Sequence, residues 1–328
     1  MFRVLPRDLR LDTTLKCGQS FRWQQHKQNG LTTYRCALHG RIVSLTQHPT
    51  HIAYDALPKL EDTEALLRDY LSLQVPLSDL YETWASKDKH FEKVSASFLG
   101  VRMLRQDPLE CLLSFICSTN NNIPRITMMV QALCREYGAS LGTHPDDGIE
   151  YYDFPVLDAL QHPSLTKELR ELGFGYRAPY IAKTCSMLAA LPPTHLHDLR
   201  SRPYADVVAA LQEFSGVGPK VADCVALMSL DQHAAIPVDT HVIQIAMRDY
   251  KFRPKPAPKK NGKRAPRPSQ GKLVMNERVY GEIRTFFQDL WGAYAGWAHS
   301  VLFAADLKAL QAGAAEEAIE HIVKVPNQ

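Results

Sequence analysis

The sequence predicts an α+β chain in which a small antiparallel sheet precedes a mostly helical body. Two observations carry this reading. Apolar and polar residues alternate in short runs over residues 20–47, and from about Asp62 onward apolar residues recur every three to four positions. The runs SFRWQQ, LTTYRCALH and RIVSLTQ are separated by KQNG and by His39-Gly40, turn sequences that join neighbouring strands, so the three read as an antiparallel meander. The helical period is clear over 62–73 and 77–86 and continues through most of the chain to 320. Asp107-Pro108 has the character of a helix start, a capping carboxylate followed by a residue with no N–H to waste. It opens a helix over 107–118, and another follows over 124–136 after the break Asn120-Asn121-Asn122. A boundary at that cap divides the chain into a sheet-bearing N-terminal region, 1–107, and a helical region, 108–328.

At 328 residues, with 45% hydrophobic and 22% charged residues, the chain has an ordinary globular composition and room for two subdomains. No apolar run approaches the roughly 18 residues of a membrane span. The N-terminal MFRVLPRDLRLDTT lacks the apolar core of a secretion signal, so an intracellular protein without a membrane partner is expected. The seven cysteines, at 17, 36, 111, 117, 134, 185 and 224, are scattered and odd in number, which predicts free buried thiols. None has CxxC spacing and none lies beyond Cys224, which argues against a zinc site and against a C-terminal iron–sulfur cluster; neither metal nor cofactor is expected.

The net charge of +3 says little about a polyanionic partner, but its distribution says more. Residues 253–272, RPKPAPKKNGKRAPRPSQGK, carry eight Lys/Arg and no acid, and without them the chain is net acidic. Five prolines and two glycines make the segment a disordered basic insertion between two helices. It is either a solvated linker or an arm that binds the DNA backbone or serves as a nuclear address.

Two helical patterns flank SGVGP. Ala205 to Phe214 sets Val207, Val208, Leu211 and Phe214 on one face, and Val221, Val225 and Met228 do the same for the next segment. Gly216 and Gly218 can turn sharply and expose their N–H groups, and Pro219 suits a first helical position. Free amides at a helix N-terminus make an anion site, which suggests a hairpin that grips a DNA phosphate without reading sequence. Lys220, taken alone, is a phosphate contact or an i,i+3 partner for Asp223. Asp239, in Pro237-Val238-Asp239-Thr240-His241, stands where the helix VIQIAMRDY needs an N-cap.

A hairpin ending in lysine and followed at this spacing by VDTH resembles the helix-hairpin-helix DNA glycosylase superfamily. Six blocks narrow the resemblance to eukaryotic 8-oxoguanine DNA glycosylases: GQSFRW at 18–23, SFICSTNNNIPRI at 114–126, LGFGYRA at 172–178, GVGPKVADCVALM at 216–228, IPVDTH at 236–241 and WGAYAGWAHSVLFAADL at 291–307. They span nearly the whole chain, and the basic insertion is the main region without a counterpart. The resemblance implies a base-excision repair enzyme, with glycosylase and abasic-site lyase activities, acting as a monomer in the nucleus on duplex DNA with 8-oxoguanine opposite cytosine. Lys220 would be the nucleophile and Schiff-base former, which requires a neutral amine; a helix N-terminus and burial both disfavour the ammonium. Asp239 would face the oxocarbenium-like sugar. The target base must leave the stack to be reached. Phe303 and Cys224 would then sandwich it, and the Gly18 carbonyl would accept the N7–H that 8-oxoguanine has and guanine lacks. Asn120 would fill the gap in the duplex with Tyr176 beside it, and Arg125 and Arg177 would bind the orphaned cytosine. Gly216, Gly218 and His241 would contact phosphates.

One position departs from the family pattern. Where glutamine usually reads the Watson–Crick edge of the flipped base, this chain has His299. A neutral ring offers one donor and one acceptor, whereas imidazolium offers no acceptor. Base recognition is therefore expected to weaken near an ordinary histidine pKa of about 6.5 unless the pocket lowers that value. Rival readings are a non-catalytic helix-hairpin-helix module, which would need no Lys220–Asp239 pair, and a glycosylase of other base specificity. If the basic insertion touches DNA, deleting residues 253–272 should reduce the slope of log affinity against log salt by about 0.9 for each lost phosphate contact. An unchanged slope would exclude it from the interface.

Overall fold

The computed structural model describes residues 1–28, 30–255, 276–307 and 310, so most of the basic segment lies outside the described residues. A short turn α1 (Leu11–Thr14) precedes a four-stranded sheet of β1 (Gln24–Gln28), β2 (Leu31–Leu38), β3 (Arg41–Gln47) and β4 (Ile52–Leu57). The strands are antiparallel and lie in sequence order. Helices α2 (Thr63–Tyr70), α3 (Leu77–Lys87) and α4 (Lys89–Ser95) follow. The body comprises α5 (Pro108–Ser118), α6 (Ile123–Tyr137), a hairpin of β5 (Ser140–Thr143) and β6 (Glu150–Tyr152), α7 (Leu165–Glu171), α8 (Ala178–Ala189) and α9 (His195–Asp198). It closes with α10 (Tyr204–Gln212), α11 (Pro219–Ser229), α12 (Thr240–Arg248), α13 (Glu277–Trp291) and α14 (Ala295–Asp306). The expected α+β order is present, and all seven cysteines are free and buried. Among the described residues no helix is long and apolar enough to cross a membrane, and no cluster of His, Cys, Asp and Glu is placed to hold a metal ion.

Three differences from the sequence reading have local causes. The first strand starts at Gln24 instead of residue 20, because Phe21 turns into the helical core against Phe115, with ring centroids 5.7 Å apart. β4 was not expected: alanine and aspartate in IAYDAL weaken its strand signal, yet it pairs along β3 from Ile52 to Leu57. The β5–β6 hairpin is short and bulged, and Tyr151 covers the outer face of the sheet at Ala37 and Ile42, burying positions that a one-faced sheet would leave wet.

The break at residues 107 and 108 marks the capped start of α5, where the Asp107 carboxylate accepts from the Glu110 N–H at 3.0 Å; it does not divide the core. Tyr81, Trp84 and Phe91 on α3 and α4 pack into the helical body, and Phe91 meets Trp291 of α13 at 6.3 Å. Buried aromatics of this kind stabilise by about 2–3 kcal/mol each, enough to draw α3 and α4 away from the sheet.

Between the two cores runs an irregular, mostly buried strap, residues 101–106. Its polar groups are met one by one. Gln19 accepts from the Leu104 N–H at 2.9 Å and donates to the Arg102 carbonyl at 2.8 Å. The Gln106 N–H donates to the Met228 carbonyl, its side chain donates to the Gln19 carbonyl, and its own carbonyl accepts from Arg200. The loop after Gly18 is further anchored by Arg22, buried against Glu110 at 2.6 Å. Glu110→Ala would leave that guanidinium with Asp153 at 3.5 Å and the Tyr152 carbonyl. A loss of about 3 kcal/mol in a denaturant titration is expected, since breaking a buried pair strands a charge; a loss below about 1 kcal/mol would show that Asp153 suffices.

Candidate active site

Six of the residues singled out in the sequence line one small cavity of about 50 Å³: Gly18, Lys220, Cys224, Asp239, His299 and Phe303. Clefts of about 320 and 370 Å³ elsewhere on the molecule contain none of them. Lys220 is the second residue of α11, behind Pro219, so its amine stands at the positive end of the helix. Its Nζ donates to Ser118 Oγ at 3.2 Å and lies 5.2 Å from the centre of the Phe115 ring. Asp239 caps α12, with Oδ1 accepting from the Val242 N–H at 3.0 Å. Among the described residues the second carboxylate oxygen has no partner. Ser118, Phe115 and Met103 line or brace the site and were assigned no role from the sequence, although Phe115 and Ser118 lie within the block at 114–126; they arrive from the first half of the chain.

Gly18 has φ +82°, a left-handed conformation that favours glycine, and a Cβ there would press on the end of the Ile123 side chain at 3.0 Å. Among the described residues its carbonyl accepts no hydrogen bond. Gly216, at φ +82°, lets the hairpin lie against Tyr180, which a Cβ would strike at 2.9 Å. Gly218 is exposed with open space above it, and among the described residues the N–H groups of both glycines have no partner, as an anion site requires.

The three asparagines separate into distinct jobs. Asn122 caps α6 through the Arg125 N–H, and Asn121 donates to the Cys117 carbonyl. Asn120 is exposed, holds φ +48° and has a side chain with no partner. Tyr176 is 49% exposed and donates to the Thr119 carbonyl. Arg125 is exposed. His241 is half-buried, its Nδ1 3.0 Å from Asp306 and its ring 5.6 Å from that of Phe303. Burial works against the Asp306 charge, but hydrogen bonds from His241 and Arg248 outweigh it and hold the carboxyl below its usual range.

Residues 1–112 match the 8-oxoguanine DNA glycosylase N-terminal domain family, and residues 113–267 match the HhH-GPD superfamily of base excision DNA repair proteins. An N-glycosylase/DNA lyase of Arabidopsis thaliana is 40% identical over 92% of this chain and 78% of its own. The chain belongs to the 8-oxoguanine N-glycosylase/DNA lyase family. The Saccharomyces cerevisiae N-glycosylase/DNA lyase is 36% identical over 92% of this chain and 84% of its own. The solved 8-oxoguanine glycosylase/lyase of Clostridium acetobutylicum, in complex with double-stranded DNA containing cytosine opposite 8-oxoguanine, is 28% identical. Its TM-score is 0.74 over 90% of this chain and 91% of that one.

For this N-glycosylase/DNA lyase the geometry changes three expectations. Lys220 does not pair with Asp223, whose carboxylate is 1% exposed and takes hydrogen bonds from Tyr204 and Tyr280. Arg177 is 2% exposed, stacked 4.4 Å from the centre of the Tyr176 ring, with its guanidinium donating to the Thr119 and Asn120 carbonyls. In this conformation it braces the asparagine loop.

The third change concerns His299. It is 6% exposed, and among the described residues neither ring nitrogen meets a partner in good hydrogen-bond geometry, the Gly296 carbonyl being a backbone acceptor that acts on it. Burial, reinforced by Lys220, overrides the Asp239 charge and the Gly296 carbonyl and pushes the ring down to about 4. A folded-state value below the unfolded one costs stability as pH falls from about 6.5, the cost being complete near 4. Over the working range the ring is neutral and keeps its acceptor nitrogen. The ratio of single-turnover excision by wild type to that by His299→Gln should therefore stay flat from about pH 5.5 to 8. A ratio that falls on the acid side with a midpoint near 6.5 would show that the ring titrates like an exposed histidine.

Proposed function

We propose that the protein excises 8-oxoguanine paired with cytosine from duplex DNA and then cuts the strand at the resulting abasic site, with Lys220 as nucleophile and Asp239 as the facing carboxylate. The observation that carries this reading is the convergence of Lys220, Asp239 and the four proposed base-contacting residues on one cavity. Lys220 Nζ adds to the sugar C1′ while the bond to the base breaks, its electron pair leaving on the base, which takes up a proton. Positive charge that develops on the sugar meets the Asp239 carboxylate across a water-poor space, where a fixed charge acts strongly. The sugar ring opens to a Schiff base on Lys220, its ring oxygen taking a proton. Loss of a proton from C2′ expels the 3′ phosphate, and water hydrolyses the imine and frees the amine.

Base entry adjusts the walls of the pocket. Phe303 is the wall suited to yield: it is half-buried, lies outside the apolar core and touches the rings of His241 and His299. Once the base is inside, Phe303 and Cys224 cover its faces, the free Gly18 carbonyl takes the N7–H, and neutral His299 meets the edge. Guanine would set a lone pair against the Gly18 carbonyl, and a buried acceptor left unpaired costs about 1–3 kcal/mol. The exposed Asn120, Tyr176 and Arg125 occupy the vacated stack and the orphaned cytosine, joined by Arg177 after it turns, while the hairpin amides and His241 hold phosphates. By the same reading the protein works as a monomer in the nucleus, which sedimentation of its duplex complex and imaging of the tagged chain would check.

Lys220→Gln should bind an 8-oxoguanine:cytosine duplex about as tightly as wild type, since the hairpin amides are untouched. Excision should fall by about 10³-fold or more, and borohydride should trap no covalent adduct. A trapped adduct from that variant would remove Lys220 from its role.

A further inference from the structure

The chain between α11 and α12, residues 230–239, has no regular structure. No helical or sheet ladder sets where Asp239 falls relative to Lys220. Residue 238, immediately before the carboxylate, is held from another direction: the Val238 N–H donates to Tyr280 Oη of α13 at 3.2 Å. Tyr280 in turn donates to Asp223 Oδ2 at 2.5 Å, and Asp223 lies on α11 one turn after Lys220. A continuous line of hydrogen bonds thus runs from the helix that carries the amine to the residue beside the carboxylate. On the other side, Tyr204 of α10 donates to Asp223 Oδ1 at 2.5 Å, and Arg284 donates to Tyr204 at 2.9 Å.

We propose that Tyr280, held by Asp223, is a positioning residue that sets the distance between Asp239 and Lys220. Asp223 is 1% exposed and Tyr280 is 7% exposed, so the link is shielded from competing water. A hydrogen bond in such surroundings is stiff, and losing it leaves the Val238 N–H buried and unpaired. The carboxylate is kept at some cost. Burial pushes Asp223 up to about 6, and the two tyrosines with Arg284 pull it back only in part. A folded-state value above the unfolded one stabilises the fold in acid and costs stability at neutral pH, where the group is charged. What the charge supplies in return is a fixed acceptor that orients two phenols at once.

The inference rests on Asp239 being the catalytic carboxylate, and the test separates the two. Tyr280→Phe and Tyr204→Phe each remove one hydrogen bond to Asp223 and keep the ring, but only Tyr280 reaches Val238. Both variants should melt earlier than wild type. Per folded molecule, at saturating enzyme, Tyr280→Phe should excise about 10- to 100-fold more slowly with duplex affinity unchanged, the scale of an ångström-size misplacement. Tyr204→Phe should remain within about 3-fold of wild type by the same measure. Equal rates for the two variants, or a Tyr280→Phe defect confined to duplex affinity, would overturn the inference. Asp239→Asn provides the separate arm: wild-type excision by that variant would overturn the reading of Asp239 itself, whatever Tyr280→Phe does.

Discussion

The site depends on one constraint, the need to satisfy every backbone polar group of a buried strap that has no secondary structure. Residues 101–106 separate the sheet's core from the helical core, and they cannot pair with themselves. Gln19 answers for two of their backbone groups and Thr14, Tyr70 and Tyr81 for three more, while Gln106 carries the strap onward through its side chain and its backbone N–H. Gln19 joins the Gly18 turn to the strap, and Gln106 joins the strap to the last turn of α11 at Met228. The carbonyl proposed to read N7 and the helix that carries the nucleophile are thereby held in one frame. An unpaired group at any of these points would cost about 1–3 kcal/mol, so the strap has little freedom to slide.

Within that frame the cavity is governed by desolvation more than by pairing of charges. Burial pushes the Cys224 thiol up to about 11, against the pull of nearby Lys220, and does the same to Cys17 against its bonds with Gln19. Both thiols stay protonated at neutral pH, and a thiol without its thiolate is a poor nucleophile. Cys224 is left as a soft surface for a base and not as a competitor of Lys220. The same burial keeps His299 neutral, so a histidine in the usual place of glutamine retains both a donor and an acceptor. One physical cause thus silences the competing nucleophiles and preserves the polar edge of the pocket.

Much of this protein was determined by local sequence. Helix boundaries around Asp107, Asn122, Asp239 and the Gly-Val-Gly-Pro turn follow from capping and backbone chemistry that acts over three or four residues, and β2 and β3 follow from alternation. The residues proposed for catalysis and base contact were legible as blocks, and they meet in one cavity. Tertiary structure alone decided the rest. It sent Phe21 into the helical core and so moved the first strand, turned Arg177 inward onto two carbonyls, took Asp223 from Lys220 and gave it to two tyrosines, and lowered the histidine that the sequence would leave near its ordinary value. Each of these outcomes hangs on what a side chain meets from another segment of the chain: Tyr204 lies 19 residues from Asp223 and Tyr280 57, and Thr119 lies 58 from Arg177. Desolvation and hydrogen-bond partners are properties of the folded neighbourhood, whereas caps, turns and periodicity are properties of the chain.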